Sequence, residues 1–302
     1  MNEAMLKYVD RIQAGLEALV PQMEERVPQL GDMPALLAKS MRYSLLAGGK
    51  RVRPSMLIGA VEMLDGPMDQ AVLPACALEM IHTYSLIHDD LPGMDNDSMR
   101  RGRPTSHMVF GEGQAILAGD GLLSFAFECM LKNALHYPAR ALQHLRAMDE
   151  IARGAGVSGM VGGQCMDLYA EHNEDWSEEL LTYIQHNKTA ALFIAALRAG
   201  ARLSDADEAS LQALTEYGTL FGRLFQVVDD ILDVQGNADE MGKSVGKDAQ
   251  SGKLTAVTRY GLEGARKEAE RLTEQAMDTL RPFGGDAGFF VTLLKDMSHR
   301  VR

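Results

Sequence analysis

Ser85-Leu86-Ile87-His88-Asp89-Asp90-Leu91-Pro92-Gly93-Met94-Asp95-Asn96-Asp97 runs from an apolar stretch straight into a cluster of acid, and Arg100-Arg101-Gly102-Arg103 follows at once. A second stretch, Phe225-Gln226-Val227-Val228-Asp229-Asp230-Ile231-Leu232-Asp233, repeats the pattern, with Lys243 and Lys247 downstream. Apolar runs that end in aspartate pairs read as core helices offering carboxylates to a shared cavity. At 100° per residue Asp229 and Asp233 stand about 40° apart on one helix face. Like charges at that spacing cost a bare helix about 0.2–0.5 kcal/mol. A hard cation joining them removes the repulsion, and Mg²⁺ is commonly held by one or two carboxylates plus phosphate oxygens. Asp89 and Asp95 are too far apart for one regular helix face, at about 120°. Pro92 and Gly93 lie between them and permit a bulge that returns Asp95 to the side of Asp89. Either stretch alone reads equally well as a helix end with acidic caps. Together, each with trailing cations, they read as two halves of one Mg²⁺–diphosphate site.

The cations support this. Arg100 and Arg101 follow the first stretch closely, and guanidinium groups fork onto phosphate oxygens. Lys243 and Lys247 sit in a glycine-bearing loop. A further basic cluster, Gly48-Gly49-Lys50-Arg51-Val52-Arg53-Pro54, opens a helix, where backbone donors and the dipole favour an anion. It has no aspartates nearby, so it suits a diphosphate bound without metal. His82 lies two turns before Asp89 and reads either as a core histidine or as part of that site.

The totals agree with a small anionic ligand on an acidic protein. The 302 residues carry a net charge of −12, which disfavours a nonspecific nucleic-acid binder. Ala, Leu and Met outweigh the aromatics, favouring helix over sheet. Cys76, Cys129 and Cys165 show no metal or disulfide spacing and are expected to be buried thiols of a reducing compartment. The N-terminus has no signal-peptide core, and no apolar run is expected to cross a membrane.

Periodicity places helices at about 2–20, 33–47, 54–64, 70–90, 112–136, 139–170, 176–200, 205–233, 253–281 and 286–299, with no strand-like alternation. Pro34 starts the second, Gly48-Gly49 stops it, and Asp205 or Asp207 caps a later one. The expectation is one all-α domain over 1–302, with roughly ten or more helices around a central cavity.

In order along the chain, GGKRVRP, SLIHDDLPGMDND with RRGRPT, GGQCMD, KTAALF, FQVVDDILD and GKSVGKD resemble the motifs of trans-isoprenyl diphosphate synthases, most closely bacterial short-chain farnesyl diphosphate synthases. The resemblance spans about residues 40–255 and implies the isoprenoid synthase bundle. It implies that Asp89, Asp95, Asp229 and Asp233 ligate about three Mg²⁺ ions, with Asp90 supporting. Arg100, Lys188 and Lys243 would hold the allylic diphosphate, with Thr189 and Gln226 near the reacting carbon. Lys50, Arg53, His82 and Arg101 would hold isopentenyl diphosphate, and Gln164 and Asp167 would face the same cavity. Asn96 and Ser98 depart from the acid run usual in relatives, which removes those two positions from any metal role.

The implied reaction is head-to-tail condensation of isopentenyl diphosphate with dimethylallyl and then geranyl diphosphate, giving farnesyl diphosphate. Tyr84, about 140° round and roughly 7.5 Å below Asp89, would be the floor that stops elongation. The alternative is a geranyl or geranylgeranyl diphosphate synthase with another stop. A terpene cyclase fits poorly with the 50–53 cluster, and a noncatalytic subunit poorly with intact aspartates. A plain helical scaffold leaves the charges unexplained. The resemblance further implies a homodimer, the cysteines and N-terminus point to a cytoplasmic protein, and residues 236–252 with the basic tail (His299, Arg300, Arg302) are candidate lids.

Overall fold

A computed structural model describes residues 3–23, 28–173, 177–235 and 255–301. The fold is all-α, as expected. In chain order the helices are α1 (Glu3–Leu19), α2 (Ala35–Leu45), α3 (Val52–Met63), α4 (Met68–Asp89), α5 (Ser106–Phe110), α6 (Glu112–His136), α7 (Ala141–Ala155), α8 (Met160–Asn173), α9 (Glu178–Ile184), α10 (Ala191–Leu203), α11 (Glu208–Gln235), α12 (Ala256–Thr279) and α13 (Gly288–Ser298).

Burial explains the layout. A helix apolar on one stripe lies at the surface, whereas one apolar all round lies inside. Helix α4 buries residues on every side, among them Ala71, Cys76, Leu78, Met80, Ile81 and Ile87. It is the central helix, flanked by α1, α2, α3, α6 and α10. Helix α11 buries one face from Leu211 to Ile231 and packs against α10 and α12. The apolar side chains merge into one contiguous core.

Pro74 lies inside α4. Proline lacks the N–H that would bond the carbonyl four residues back. That carbonyl, of Gln70, instead accepts from Asn133 Nδ2 on α6 at 3.0 Å. The break in the ladder thus becomes a tie between helices.

Several expectations needed correction. The periodic, glycine-rich stretch 139–170, whose boundaries the sequence leaves open, is two helices parted at residues 156–159, where Gly159 lies against the end of α7: a Cβ there would stand 2.3 Å from the Gly154 carbonyl. The segment 176–200 is broken by a π-helical turn, Gln185–Ala190. A two-residue antiparallel ladder pairs Met99–Arg100 (β1) with Arg103–Pro104 (β2), too short to leave an alternation in the sequence. Pro34 is the N-cap of α2 with an extended backbone, not a first-turn residue. Asp207, not Asp205, caps α11, accepting from the Ser210 N–H at 2.8 Å. Cys76 and Cys129 are buried but Cys165 is exposed. Helix α6 is long and apolar enough by length and composition to cross a membrane, contrary to expectation. It packs in the bundle against α4, α2, α5 and α7.

Candidate active site

The acidic stretch after α4 folds back as its Pro-Gly pair suggests. The Asp95 N–H donates to the Asp89 carbonyl at 2.9 Å, and the Asn96 N–H to the Leu91 carbonyl at 3.1 Å. Asn96 takes the left-handed conformation, with φ of 51°, which closes the loop. Asp95 therefore returns to Asp89. Asp90 turns the other way. It is buried, and both its oxygens accept from Arg100 Nε, at 2.8 and 2.9 Å, with Arg100 Nη2 at 2.6 Å. Arg100 is thus fixed in place by the Asp90 carboxylate.

Asp89 and Asp95 are held in a setting that disfavours their charge. Burial pushes the Asp89 carboxyl up to about 6, and the neighbouring Asp95 and Asp90 add to it against Lys188 and Arg100. Burial also raises Asp95, with Asp97, Glu171 and Asp167 contributing. Lys188 is the cation common to both. Its Nζ donates to the buried Asp167 at 2.6 Å.

Lys188 and Thr189 stand on the π turn, where the helix widens by a residue, a device frequent at functional sites. Gly163 permits the approach. A Cβ there would lie 2.2 Å from the Lys188 backbone nitrogen, so any side chain would push the turn away from α8. On the opposite side Gly222 of α11 meets Ala190, where a Cβ would come within 2.4 Å of the alanine methyl. Asp229 and Asp233 follow Gly222 at seven and eleven positions, which keeps them within about 20° of the same α11 face. The second acidic pair thus continues the face that meets the turn carrying Lys188. Asp230 has a different task. It is buried, accepting from Gln226 Nε2 at 2.9 Å and from the Ala256 N–H, at the start of α12, at 2.8 Å. In each pair the second acid, Asp90 or Asp230, is used to hold structure.

Among the described residues no three His, Cys, Asp or Glu side chains stand together as a preformed metal site. The donor set nonetheless fits a hard divalent cation. Asp89 and Asp95 are all-oxygen donors, adjacent, partly desolvated and mutually repelling. The buried Gln164 Oε1 has no hydrogen-bond partner among the described residues.

The cationic half is built around a left-handed turn. Gly48, Gly49 and Arg51 all have positive φ, of 84°, 126° and 48°. Arg51 does not join the anion site. Its guanidinium turns inward to Glu79 of α4 at 2.5 Å, with a second nitrogen on the Leu45 carbonyl at 2.6 Å. That leaves Lys50 exposed on one side of the turn and Arg53 on the other. Arg53 Nη1 faces His82 Nε2 at 3.4 Å, and its Cζ stacks 4.3 Å over Phe193. Arg101 reaches the same place, donating to the Gly48 carbonyl and lying over Gly49. Burial pushes Arg53 down to about 10, and burial with Arg53, Arg101 and Arg100 holds His82 well below its ordinary value. His82 is therefore a neutral ring among guanidiniums. The buried Nε of Arg53 has no hydrogen-bond partner among the described residues. A site with excess fixed cation and an unused donor fits an anion, and Lys50, Arg53, His82 and Arg101 are the residues expected there.

Tyr84 is buried, with 6% exposure, and feels the Asp89 charge. Lys243, Lys247, the 236–252 lid and Arg302 lie outside the described residues. His299 and Arg300 are exposed on a short 3₁₀ turn. Sequence reasoning missed the Arg51–Glu79 and Lys188–Asp167 pairs, whose partners lie far apart in the chain, and it missed the π turn.

The polyprenyl synthetase family pattern matches residues 34–281. The chain belongs to that family. This polyprenyl synthetase is 44% identical over 254 residues to a geranylgeranyl diphosphate synthase of Cyanophora paradoxa, covering 84% of each chain. It is 45% identical over 283 residues to the chloroplastic geranylgeranyl pyrophosphate synthase 9 of Arabidopsis thaliana, covering 92% of this chain and 75% of that one. Among solved structures it superposes on an FPP/GFPP synthase of Zymomonas mobilis with TM-score 0.85 and 32% identity, covering 97% of both. A geranyltransferase of Legionella pneumophila gives 0.84 and 32%, covering 98% of this chain and 96% of that one. The polyprenyl synthetase is accordingly a prenyltransferase acting on small diphosphate substrates.

Proposed function

We propose that this prenyltransferase condenses isopentenyl diphosphate with dimethylallyl and then geranyl diphosphate and stops at farnesyl diphosphate. The observation that carries the stop is Tyr84, a buried aromatic one turn and a half below Asp89 on the central helix. Asp89, Asp95, Asp229 and Asp233 would hold the Mg²⁺ ions. When bound, Mg²⁺ supplies charge stabilisation for the departing diphosphate. Arg100, oriented by Asp90, and Lys188, oriented by Asp167, add fixed positive charge that needs no reorganisation as the bond breaks. Lys243 would join them. Arg53, Arg101, Lys50 and the neutral His82 hold isopentenyl diphosphate so that its double bond lies against the reacting carbon. Gln226 and Thr189 line the approach, where an amide oxygen and a backbone carbonyl direct partial negative charge at the developing cation.

A second reading has its own support. The relatives at 44% and 45% identity are named for geranylgeranyl diphosphate, one isoprene unit longer. Those names speak for the longer product, and the buried tyrosine for the shorter. We further propose a cytoplasmic homodimer. Ile116, Leu117, Leu131 and Leu135 of α6, with Leu142 and Leu145 of α7, are exposed and would be covered by a second copy.

Incubation of the chain with dimethylallyl and isopentenyl diphosphates and Mg²⁺, followed by product sizing, tests the reading. Farnesyl diphosphate is the expected end product, and EDTA is expected to abolish turnover. A predominant geranylgeranyl product would select the second reading. Turnover in EDTA would remove the metal assignment. Tyr84→Ala is expected to move the main product beyond farnesyl diphosphate. An unchanged farnesyl product from that variant would remove the tyrosine as the stop.

A further inference from the structure

Tyr84 is not held by its own helix alone. One turn above it on α4 is His88, at a spacing that puts both rings on one face, about 40° apart. The two rings meet edge to face, with centroids 5.6 Å apart and planes at 83°. His88 is gripped from α6. Its Nε2–H donates to the Ile116 carbonyl at 3.1 Å, and Asp120 Oδ1 lies 3.8 Å from the same nitrogen. Between these two residues is Gly119. A Cβ at Gly119 would stand 2.2 Å from His88 Nε2 and 2.5 Å from Cδ2. The imidazole therefore fills the space where a side chain of α6 would be. Gly119 is buried and helical, a position where glycine is disfavoured against alanine and where its presence calls for a packing reason. Here the packing requirement is the His88 ring.

We propose that His88 is a positioning residue for product length: clamped between the Gly119 gap and the Ile116 carbonyl, it fixes the Tyr84 ring as the wall that ends elongation. This rests on the reading of Tyr84 as the stop. His88 itself takes no part in binding diphosphate or metal. It points away from Asp89 by about 100° and is spent on α6. Its effect passes through the tyrosine ring. An edge-to-face aromatic contact is worth about 0.5–1.5 kcal/mol, which is roughly a two- to tenfold bias between keeping and losing one ring position. A bias of that size is enough to alter a product ratio while leaving the chemistry in place.

The test is product sizing on four variants of the full chain with dimethylallyl and isopentenyl diphosphates. His88→Ala is expected to raise the ratio of longer to wild-type product by about fivefold, within the range of one ring contact. KM for isopentenyl diphosphate is expected to stay within about twofold, because Arg53 and His82 are untouched. Gly119→Ala displaces the same ring from the other helix and is expected to shift products in the same direction. It keeps the test open if His88→Ala does not fold. Tyr84→Ala should lengthen products by itself, and adding His88→Ala to it should change them no further, since the histidine acts through the tyrosine. If Tyr84→Ala lengthens products but neither His88→Ala nor Gly119→Ala does, the clamp is wrong and the stop stands. If Tyr84→Ala leaves length unchanged, the stop itself is wrong. Loss of thermal stability in His88→Ala with an unaltered product ratio would mark the residue as packing only and overturn the proposal.

Discussion

Asp89→Asn is expected to lower kcat/KM by roughly 10³-fold while leaving the protein at least as stable as the wild type at pH 7. The two effects have opposite signs for one reason. Asp89 sits partly desolvated beside Asp95 and Asp90, and its carboxyl is pushed up to about 6. In the unfolded chain it returns to its ordinary value of 3.8. A carboxyl raised by folding favours the protonated form in the native state. Stability is therefore lost as pH rises from 3.8 through about 6, and the whole penalty is present at pH 7. Asparagine keeps the shape and removes the charge. Lys188 keeps its stronger partner, since its Nζ lies 2.6 Å from Asp167. A gain on the order of 1 kcal/mol at pH 7, vanishing below pH ~4, is the expected stability change. The loss in activity follows from the proposed role of Asp89, in which a cation would join this unfavourable carboxylate to Asp95. Paired thermal melts and steady-state rates check both halves. Activity within tenfold of wild type would remove Asp89 from the ligand set, and a melting point lowered at pH 7 would contradict the repulsive field. Strain of this kind is expected at a working site, where stability is exchanged against function.

Much of this arrangement is legible in the sequence. The 40° relation of Asp229 to Asp233 is a property of helix geometry alone, and α11 is a regular helix there. The return of Asp95 to Asp89 followed from Pro92-Gly93, and the backbone bond between them at 2.9 Å is local. The grouping of Lys50, Arg53, His82 and Arg101 required a resemblance, because their convergence joins α3, α4 and the loop before α5. What the sequence could not show were choices made by distant partners. Arg51 looks like its neighbours Lys50 and Arg53, yet it is withdrawn by Glu79, twenty-eight positions on. Asp90 and Asp230 look like Asp89 and Asp229, yet each is turned to a structural partner, Arg100 and the Ala256 N–H. The π turn at 185–190 has no signature of its own. It arises where Gly163 and Gly222 let α8 and α11 press on it from two sides. The split of 139–170 likewise depends on where the chain must turn back, not on propensity.

Product length shows the same division between local and distant information. Identity to geranylgeranyl synthases is spread over most of the chain and reports shared chemistry. On the proposed reading the stop would depend on very few atoms, those of the Tyr84 ring on α4 and of the His88 contact, itself held from α6. Under that proposal a chain can match one product class across its length and still end at another, which is why the relatives' names and the buried Tyr84 point to different products.

Arg51→Met is expected to cost about 3–5 kcal/mol of stability, the largest single loss we expect in this protein. The Arg51 and Glu79 side chains are 1% and 2% exposed, and their charged atoms meet at 2.5 Å. Removing water from both ions is expensive, and their attraction offsets that only while both are present. Methionine matches the stem of arginine but leaves Glu79 as an uncompensated buried charge. It also leaves the Leu45 carbonyl without the donor it now has at 2.6 Å. Arg51 holds a left-handed backbone with φ of 48°, which costs a non-glycine residue of order 1 kcal/mol and is sustained by that pair of contacts. With the contacts gone, the turn relaxes. Lys50 and Arg53 flank Arg51, so the consequence at the site is a raised KM for isopentenyl diphosphate with a smaller change in kcat. Denaturant unfolding and steady-state kinetics separate the two effects. Adding Glu79→Leu to Arg51→Met replaces the pair by apolar groups and is expected to restore most of the stability. It should not restore KM, because no apolar pair reproduces the hydrogen bond that holds the turn. A double variant as unstable as the single would show that the loss comes from the backbone turn and not from the stranded charge.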